Sequence, residues 1–303
     1  MKANLHFHSR FSDGTQWPSE IVQRAYGAGK GRYELLALTD HDTFGGVPEF
    51  LKACAAYDIQ GIPAVEIDVV DPHINYKSEL LAYFPQGHYQ QTAQLLHHIC
   101  QERQAYVRAS LLKAQHHFVR KDLRFEHLLS IKQRGRPEVP AEFFSFNKVD
   151  LYYYFKNAGV IPADIEYRAF KKAYLDSRLI AGPSYPKPTC TEVIEQVHRD
   201  GGFVVLPHIG HEFEDSWEIL KKDQKRFLDM LSYFKNLGID GIELYWYRNG
   251  DTKEINSFVE KVAPNFGFFL TYGSDCHGPD SGKDTLLLFS GNFRGWPAPR
   301  ISA

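Results

Sequence analysis

The chain has 303 residues, 43% of them hydrophobic, and a formal net charge of −2. That is enough apolar material for a well-buried core in one large domain or in a domain carrying a substantial insertion, which excludes a disordered chain. No stretch approaches the roughly 18 to 20 apolar residues of a membrane span, and the N-terminus lacks a basic-then-apolar leader, so a cytoplasmic protein is expected.

Read in chain order, Asn4–His8, Leu35–Thr39, Ile62–Ile67 and Leu80–Phe84 are expected strands. Pro18–Ala28 and Val47–Ala56 between them are expected helices, the first opened by Pro18 and stopped by Gly29. This is the βαβ rhythm of a parallel sheet or barrel. It stops near Pro85. From His88 to about Ser184 the chain is helix-like and rich in aromatics such as Phe143, Phe144, Phe146, Tyr152, Tyr153, Tyr154 and Phe155, which are expected to form a small helical core rather than platforms for bases. The rhythm then resumes, with helices at Thr191–Asp200, Trp217–Leu237 and Lys253–Val262 and strands at Phe203–Pro207, Gly241–Trp246 and Phe268–Tyr272.

Charge is unevenly spread. His88–Lys187 holds 16 Lys and Arg against 9 Asp and Glu, whereas the remainder holds 19 against 28. The basic part is suited to an anion and the acidic part to cations. Cys54, Cys100, Cys190 and Cys276 lie far apart with no Cys-x-x-Cys, which argues against a disulfide framework or a thiolate zinc site.

The chemistry-bearing residues fall at strand ends. His6 and His8 alternate along the first expected strand, so both imidazoles point to one face, where a metal is their commonest partner. Asp40 and His41 follow the second strand, Glu66 lies near the end of the third, His208 follows Phe203–Pro207, and Asp275 and His277 follow Phe268–Tyr272. In βα barrels that end of the strands is the active face. Imidazoles and carboxylates recurring there point to a multinuclear metal site rather than to isolated core histidines.

The order and spacing of His6-Phe7-His8-Ser9, Ser12-Asp13-Gly14-Thr15, Leu36-Ala37-Leu38-Thr39-Asp40-His41-Asp42, Val65-Glu66-Ile67, His208 and Gly273-Ser274-Asp275-Cys276-His277 resemble the PHP (polymerase and histidinol phosphatase) family, and within it the trinuclear phosphoesterases that hydrolyse nucleotides and nucleoside bisphosphates. The resemblance covers nearly the whole chain. It implies an α/β fold, a distorted (β/α)7-type barrel formed by residues 1–87 and 188–303, with residues 88–187 inserted as a helical, substrate-capping subdomain.

It also implies a cofactor of two or three divalent ions, Mn, Fe or Zn. One would be held by His6, His8, Glu66 and Asp275, with Glu66 bridging to a second, and a third would be held by Asp13, His41 and His277. The second should use Glu66, His208 and a histidine on the strand after Glu66. Here the matching segment is Glu79-Leu80-Leu81-Ala82-Tyr83-Phe84, so Glu79 takes that position, with His73 in the preceding loop as the alternative. A carboxylate there favours manganese or iron over zinc.

Two further departures are Gly135-Arg136-Pro137-Glu138 and His208-Ile209-Gly210, where the family has Gly-Arg-Pro-His and His-Pro-Gly. Arg136, with Arg134 nearby, is expected to grip a phosphate through its planar fork of donors. Glu66 is the expected catalytic carboxylate, together with Asp40 as a partner behind the ligands.

The implied activity is hydrolysis of a phosphate monoester of a nucleotide or other small anionic metabolite by a metal-activated hydroxide. Two other readings use the same residues: amidohydrolase-like C–N or C–O hydrolysis, and a non-catalytic metal-binding regulatory module. The expected partner is a small phosphorylated substrate, without a membrane and without sequence-specific nucleic acid binding.

Overall fold

The computed structural model describes residues 1–28, 33–248 and 250–298; Gly29, the expected stop of the first helix, lies outside the described residues. Eight strands, β1 (Lys2–Asn4), β2 (Leu35–Leu38), β3 (Gln60–Asp68), β4 (Glu79–Tyr83), β5 (Phe203–Leu206), β6 (Gly241–Tyr245), β7 (Phe269–Gly273) and β8 (Gly291–Asn292), form one sheet in the order β7-β6-β5-β4-β3-β2-β1-β8. The row curls into a nearly closed barrel. Beyond β1 the backbone runs beside β7 and its continuation, with Leu5 N donating to Tyr272 O at 2.7 Å, Asp275 N to His6 O at 2.8 Å and His8 N to Cys276 O at 2.8 Å.

Alternation along the strands separates two apolar layers. Leu35 and Ala37 of β2 and Ile62 and Ala64 of β3 pack with Leu5, Leu81, Tyr83 and Val205, while Leu36 and Leu38 pack with Phe7, Ile21, Val22 and Phe50 under helices α1 (Pro18–Gly27) and α2 (Val47–Ala56). The first strand is shorter than expected. Regular pairing stops at Asn4, and Leu5 and Phe7 go to different clusters.

The expectation of a parallel sheet fails at β4, which runs antiparallel to both β3 and β5. Only residues 69–78 join β3 to β4, too few for the helical crossover a parallel pair needs, and that link is pinned by Asp71 and Tyr76 exchanging hydrogen bonds of 2.8 and 2.9 Å. The reversal puts the start of β4, at Glu79, on the rim where its neighbours end.

After β4 the chain forms α3 (Gln90–His117), α4 (Phe125–Gln133), α5 (Lys148–Asn157) and α6 (Tyr167–Phe170), the last running into a wider turn over Lys171–Asp176. Their aromatics share a core, including Phe144, Phe146, Phe155 and Phe170, into which Phe11 and Trp17 project from the barrel side. Phe143 and Tyr153 are the exceptions, at 47% and 44% exposed. The chain then returns through α7 (Cys190–Arg199), α8 (Trp217–Lys222), α9 (Gln224–Leu237) and α10 (Thr252–Val262). The helix expected over 217–237 is thus two, because Asp223 leaves the helical conformation with φ −119° and ψ 40°. No described helix is long and apolar enough to cross a membrane.

Candidate metal centre

Each expected ligand sits on the rim for a local reason. Past β1, residues 9–12 turn tightly around Asp40, whose carboxylate accepts from Ser9 N, Ser9 Oγ and Ser12 Oγ, each at 2.6 Å. This turn delivers Asp13. Gly14 must follow it, because a Cβ there would lie 2.5 Å from the carbonyl oxygen of His8. His41 is pinned beside Glu66, as Asp42 N donates to Glu66 O at 2.8 Å. His208 and Asp275 leave their strands with positive φ, 29° and 48°, a strained conformation for residues with side chains that keeps the imidazole and carboxylate over the barrel mouth.

The side chains converge. His6 Nε2 lies 3.2 Å from His8 Nε2, and both nitrogens are 3.2 Å from Glu66 Oε2. The other oxygen of Glu66 is 3.1 Å from His208 Nε2, and His41 Nδ1 is 3.4 Å from Oε2. Asp275 Oδ1 is 3.0 Å from His8 Nε2 and 3.5 Å from His6 Nε2. Asp13 approaches His277 Nε2 at 3.3 Å, His41 Nε2 at 3.7 Å and His8 Nδ1 at 3.8 Å. Glu79 Oε2 is 3.9 Å from His208 Nε2. Three groups therefore offer donor atoms within 4.8 Å of one another: His8, Asp13, His41 and His277; His6, His8 and Glu66; and Glu66, Glu79 and His208.

This donor set fits divalent cations. His8 Nδ1, His41 Nδ1 and Asp275 Oδ1 are buried and hydrogen-bonded to nothing, an arrangement that costs free energy unless an ion takes their lone pairs. Burial works against charge throughout the cluster, and opposite charges prevail over it. His277 and His41 hold Asp13 well below the usual carboxylate range, His6 and His41 do the same for Glu66, and Lys283 and His6 for Asp275. Against the same burial, Glu243, Glu66 and Asp275 raise His6 well above the imidazole range, and Asp275 and Glu66 raise His8 to about 10. Glu79 differs: burial and the Glu66 charge push it up to about 7.

Of the alternatives for the departing position, Glu79 stands with Glu66 and His208, while His73 is exposed and joins no candidate group among the described residues. Asp40 is buried and saturated by serine donors, so it positions the Ser9–Ser12 turn and touches no open part of the site. Arg136 and Arg134 do not reach the cluster's cleft. Arg136 pairs with Glu49 at 2.9 Å and lies 4.2 Å over the Trp17 ring, and Arg134 donates to Thr15 O at 3.3 Å.

Several residues escaped the sequence reading. Glu243, wholly buried in β6, accepts from His6 Nδ1 at 2.8 Å and from His208 N at 3.0 Å, which turns Nε2 of His6 into the cluster. Gly273 allows that approach, since a Cβ there would sit 1.8 Å from Glu243 Oε1. Tyr245 Oη donates to Asp275 Oδ2 at 2.8 Å, and Lys283 pairs with the same carboxylate. A lone Glu in the apolar strand Gly-Ile-Glu-Leu-Tyr was the available signal for Glu243.

The cluster opens into a cleft of about 290 Å³, with Asp13, His41 and Glu79 on the barrel side and Lys148, Lys171, Tyr167, Tyr185 and Lys187 opposite. Burial and then repulsion from Lys171 and Lys187 lower the pKa of Lys148. Arg103 of α3 also lines the cleft, pairing with Asp42 and, at 2.7 Å, with Asp68.

The chain is similar in sequence and fold to known proteins. Residues 4–144 match the PHP domain. The chain is 27% identical over 307 residues to a 5'-3' exoribonuclease of Haemophilus influenzae, covering 95% of this chain and 96% of that one. A segment of 66 residues, 22% of each chain, is 46% identical to a 3',5'-nucleoside bisphosphate phosphatase of Chromobacterium violaceum. Two solved structures share the fold at lower identity. One, from Bifidobacterium adolescentis and assigned as a metal-dependent phosphoesterase, has a TM-score of 0.70 at 21% identity over 93% of this chain and 90% of its own. The other, described as an amidohydrolase of Chromobacterium violaceum, has a TM-score of 0.68 at 20% identity over 97% and 92%. Residues 4–144 are thus similar to the PHP domain, and the fold of nearly the whole chain is that of the Bifidobacterium structure.

Proposed function

We propose that the protein is a metal-dependent phosphoesterase that removes a phosphate monoester from a nucleotide or similar small anionic metabolite. One observation carries this reading: the His and carboxylate cluster opens into a cleft whose opposite wall presents Lys148, Lys171 and Lys187. Among the described residues Lys148 and Lys171 form no ion pair, so their charge is available to an anion, whereas Lys187 is partly engaged by Asp68 at 2.9 Å. A neutral amide substrate would need no such wall. Tyr167 and Tyr185 offer flat faces to a base.

The nine ligand candidates His6, His8, Asp13, His41, Glu66, Glu79, His208, Asp275 and His277 would hold the ions, with Glu66 contributing an oxygen to each side. Bound divalent ions supply Lewis-acid chemistry, lowering the pKa of water and offsetting phosphoryl charge. The chain's own residues do the rest. Lys148 and Lys171 draw in the phosphate and fix its position, Glu243 fixes the His6 ring, Tyr245 and Lys283 fix Asp275, and the Arg103 pairs brace the segments carrying His41 and Glu66. Residues 88–187 act as the cap over this cleft, and residues 1–87 and 188–303 as the barrel beneath. The four unpaired, buried cysteines suit a cytoplasmic setting.

A second reading, phosphodiester cleavage from the 5' end of RNA, is favoured by the Haemophilus relative, which matches over almost the whole of both chains. Metal-reconstituted protein assayed for inorganic phosphate from nucleoside bisphosphates, mononucleotides and sugar phosphates, alongside 5'-labelled RNA, separates the two. Phosphate release from a nucleotide is expected. Mononucleotide release from RNA with no phosphate liberated would replace monoester hydrolysis by the second reading, and turnover of neither would remove both.

A further inference from the structure

Asp42, which pairs with Arg103 of the cleft, also forms part of the wall of a separate and larger cavity of about 530 Å³. That volume falls in the range of small-molecule sites, roughly 300 to 1,000 Å³. Its body is apolar, built from Phe11, Phe44, Leu96 and Phe143. Phe143 lines it while remaining 47% exposed, which leaves an apolar ring face open to a ligand.

Carboxylates dominate the charged part of the lining, with His97 the imidazole among them. Glu49, Glu138 and Glu142 stand around the apolar body, and no Lys or Arg is among the described residues that line it. Glu49 is already neutralised by Arg136 at 2.9 Å. Glu138 and Glu142 form no ion pair among the described residues and are exposed. Glu138 stands where the sequence departs from Gly-Arg-Pro-His, and the metal centre makes no use of it.

We propose that this cavity binds a small organic cation, an apolar ring system carrying an ammonium or guanidinium group, with Glu138 and Glu142 receiving the charge. The phenylalanines bury the ring and add attraction between their faces and the cation. An anion would meet uncompensated carboxylates, so the phosphorylated substrate of the neighbouring cleft is excluded here. The proposal stands apart from the hydrolytic reading, since it rests on none of the metal-site residues.

The test is calorimetric titration of the full-length protein with 2-phenylethylammonium, its neutral isostere 2-phenylethanol, and phenylacetate. The ammonium should bind saturably and about tenfold or more tighter than the alcohol, with the carboxylate weakest. Replacing Glu138 and Glu142 together by Gln, a change confined to exposed positions, should bring the ammonium down to the level of the alcohol. Ala93→Phe, which fills the cavity, should abolish binding of both. No saturation by the ammonium at concentrations on the order of 10 mM, equal affinity for the alcohol, or unchanged binding in the double glutamine variant would each overturn the proposal.

Discussion

Glu79 and Asp68 are paired residues across the antiparallel β3–β4 ladder, and that pairing places the first residue of β4 on the same rim as the last residues of β3. Two positions back along β3 from Asp68, Glu66 points to the shared centre, and Glu79 approaches His208 on its far side. Had β4 run parallel, Glu79 would lie at the opposite end of the barrel.

Glu79→His should exchange an oxygen donor for a nitrogen donor without disturbing the fold, shifting metal preference from manganese or iron toward zinc. Elemental analysis after competition between Mn and Zn reads this out. His73→Ala should leave metal content unchanged, because His73 is exposed and outside the cluster. Metal loss in His73→Ala with no change in Glu79→His would reverse the assignment.

Glu66→Gln should lose more than one ion. Its two oxygens face different partners, His6, His8 and His41 on one side and His208 on the other, and a neutral amide cannot supply charge to both. Stoichiometry by elemental analysis decides it, and full occupancy in the variant would show that Glu66 is not shared.

Much of the site was legible because metal ligands are polar residues in places where polarity is costly. His6, His8, Glu66 and His208 each interrupt or end an apolar run, His41, Asp275 and His277 follow just beyond one, and the structure gathers them. What was not legible depended on the path of the chain. The sense of β4 follows from the length of a link, not from its own alternation. Glu243 acts through a neighbour, so nothing in its surroundings in sequence names its partner. Arg136 was singled out by its motif, yet a nearby Glu49 and the Trp17 face hold it, while Lys148 and Lys171, in no motif, come to the cleft through the packing of α5 and α6.

Arg103 is buried at 5% exposure against Asp42 and Asp68, joining α3 to the loop that carries His41 and to the end of β3, which carries Glu66. Arg103→Met should therefore destabilise the protein by about 3 to 5 kcal/mol, the cost of leaving the buried Asp42 carboxylate without its cation while Asp68 keeps Lys187. Urea unfolding monitored by circular dichroism measures it. A midpoint equal to that of the wild type would mean that Asp42 finds another partner.

Lys148→Ala and Lys171→Ala should each raise KM for a phosphorylated substrate by about 10- to 100-fold, the loss of one contact between charged groups, with a smaller effect on kcat. The rise should shrink at high salt, because partly exposed charges are screened. Arg136→Ala should leave KM unchanged, since Arg136 is held by Glu49 away from the cleft. Steady-state kinetics on the three variants would contradict this assignment if Arg136→Ala alone raised KM.

Metal loading should release protons. In the metal-free protein the neighbouring carboxylates overcome burial and raise His8 to about 10, with His6 likewise well above the imidazole range. Both are therefore protonated at about pH 7, where an unperturbed imidazole is mostly neutral. A metal takes only neutral imidazole, so binding must expel those protons, and Glu79, raised to about 7, gives up part of another, whereas Asp13, Glu66 and Asp275, already ionised, give up none. The sign follows: apparent affinity should fall as pH is lowered, and proton release should diminish as pH rises toward about 10, where His8 deprotonates unaided. Calorimetry at one pH in two buffers of different ionisation enthalpy gives the number of protons directly. The count at about pH 7 should exceed one and should drop in His8→Asn. Loading with no proton release would mean that the imidazoles are neutral beforehand, and the charge balance within the cluster would have to be redrawn.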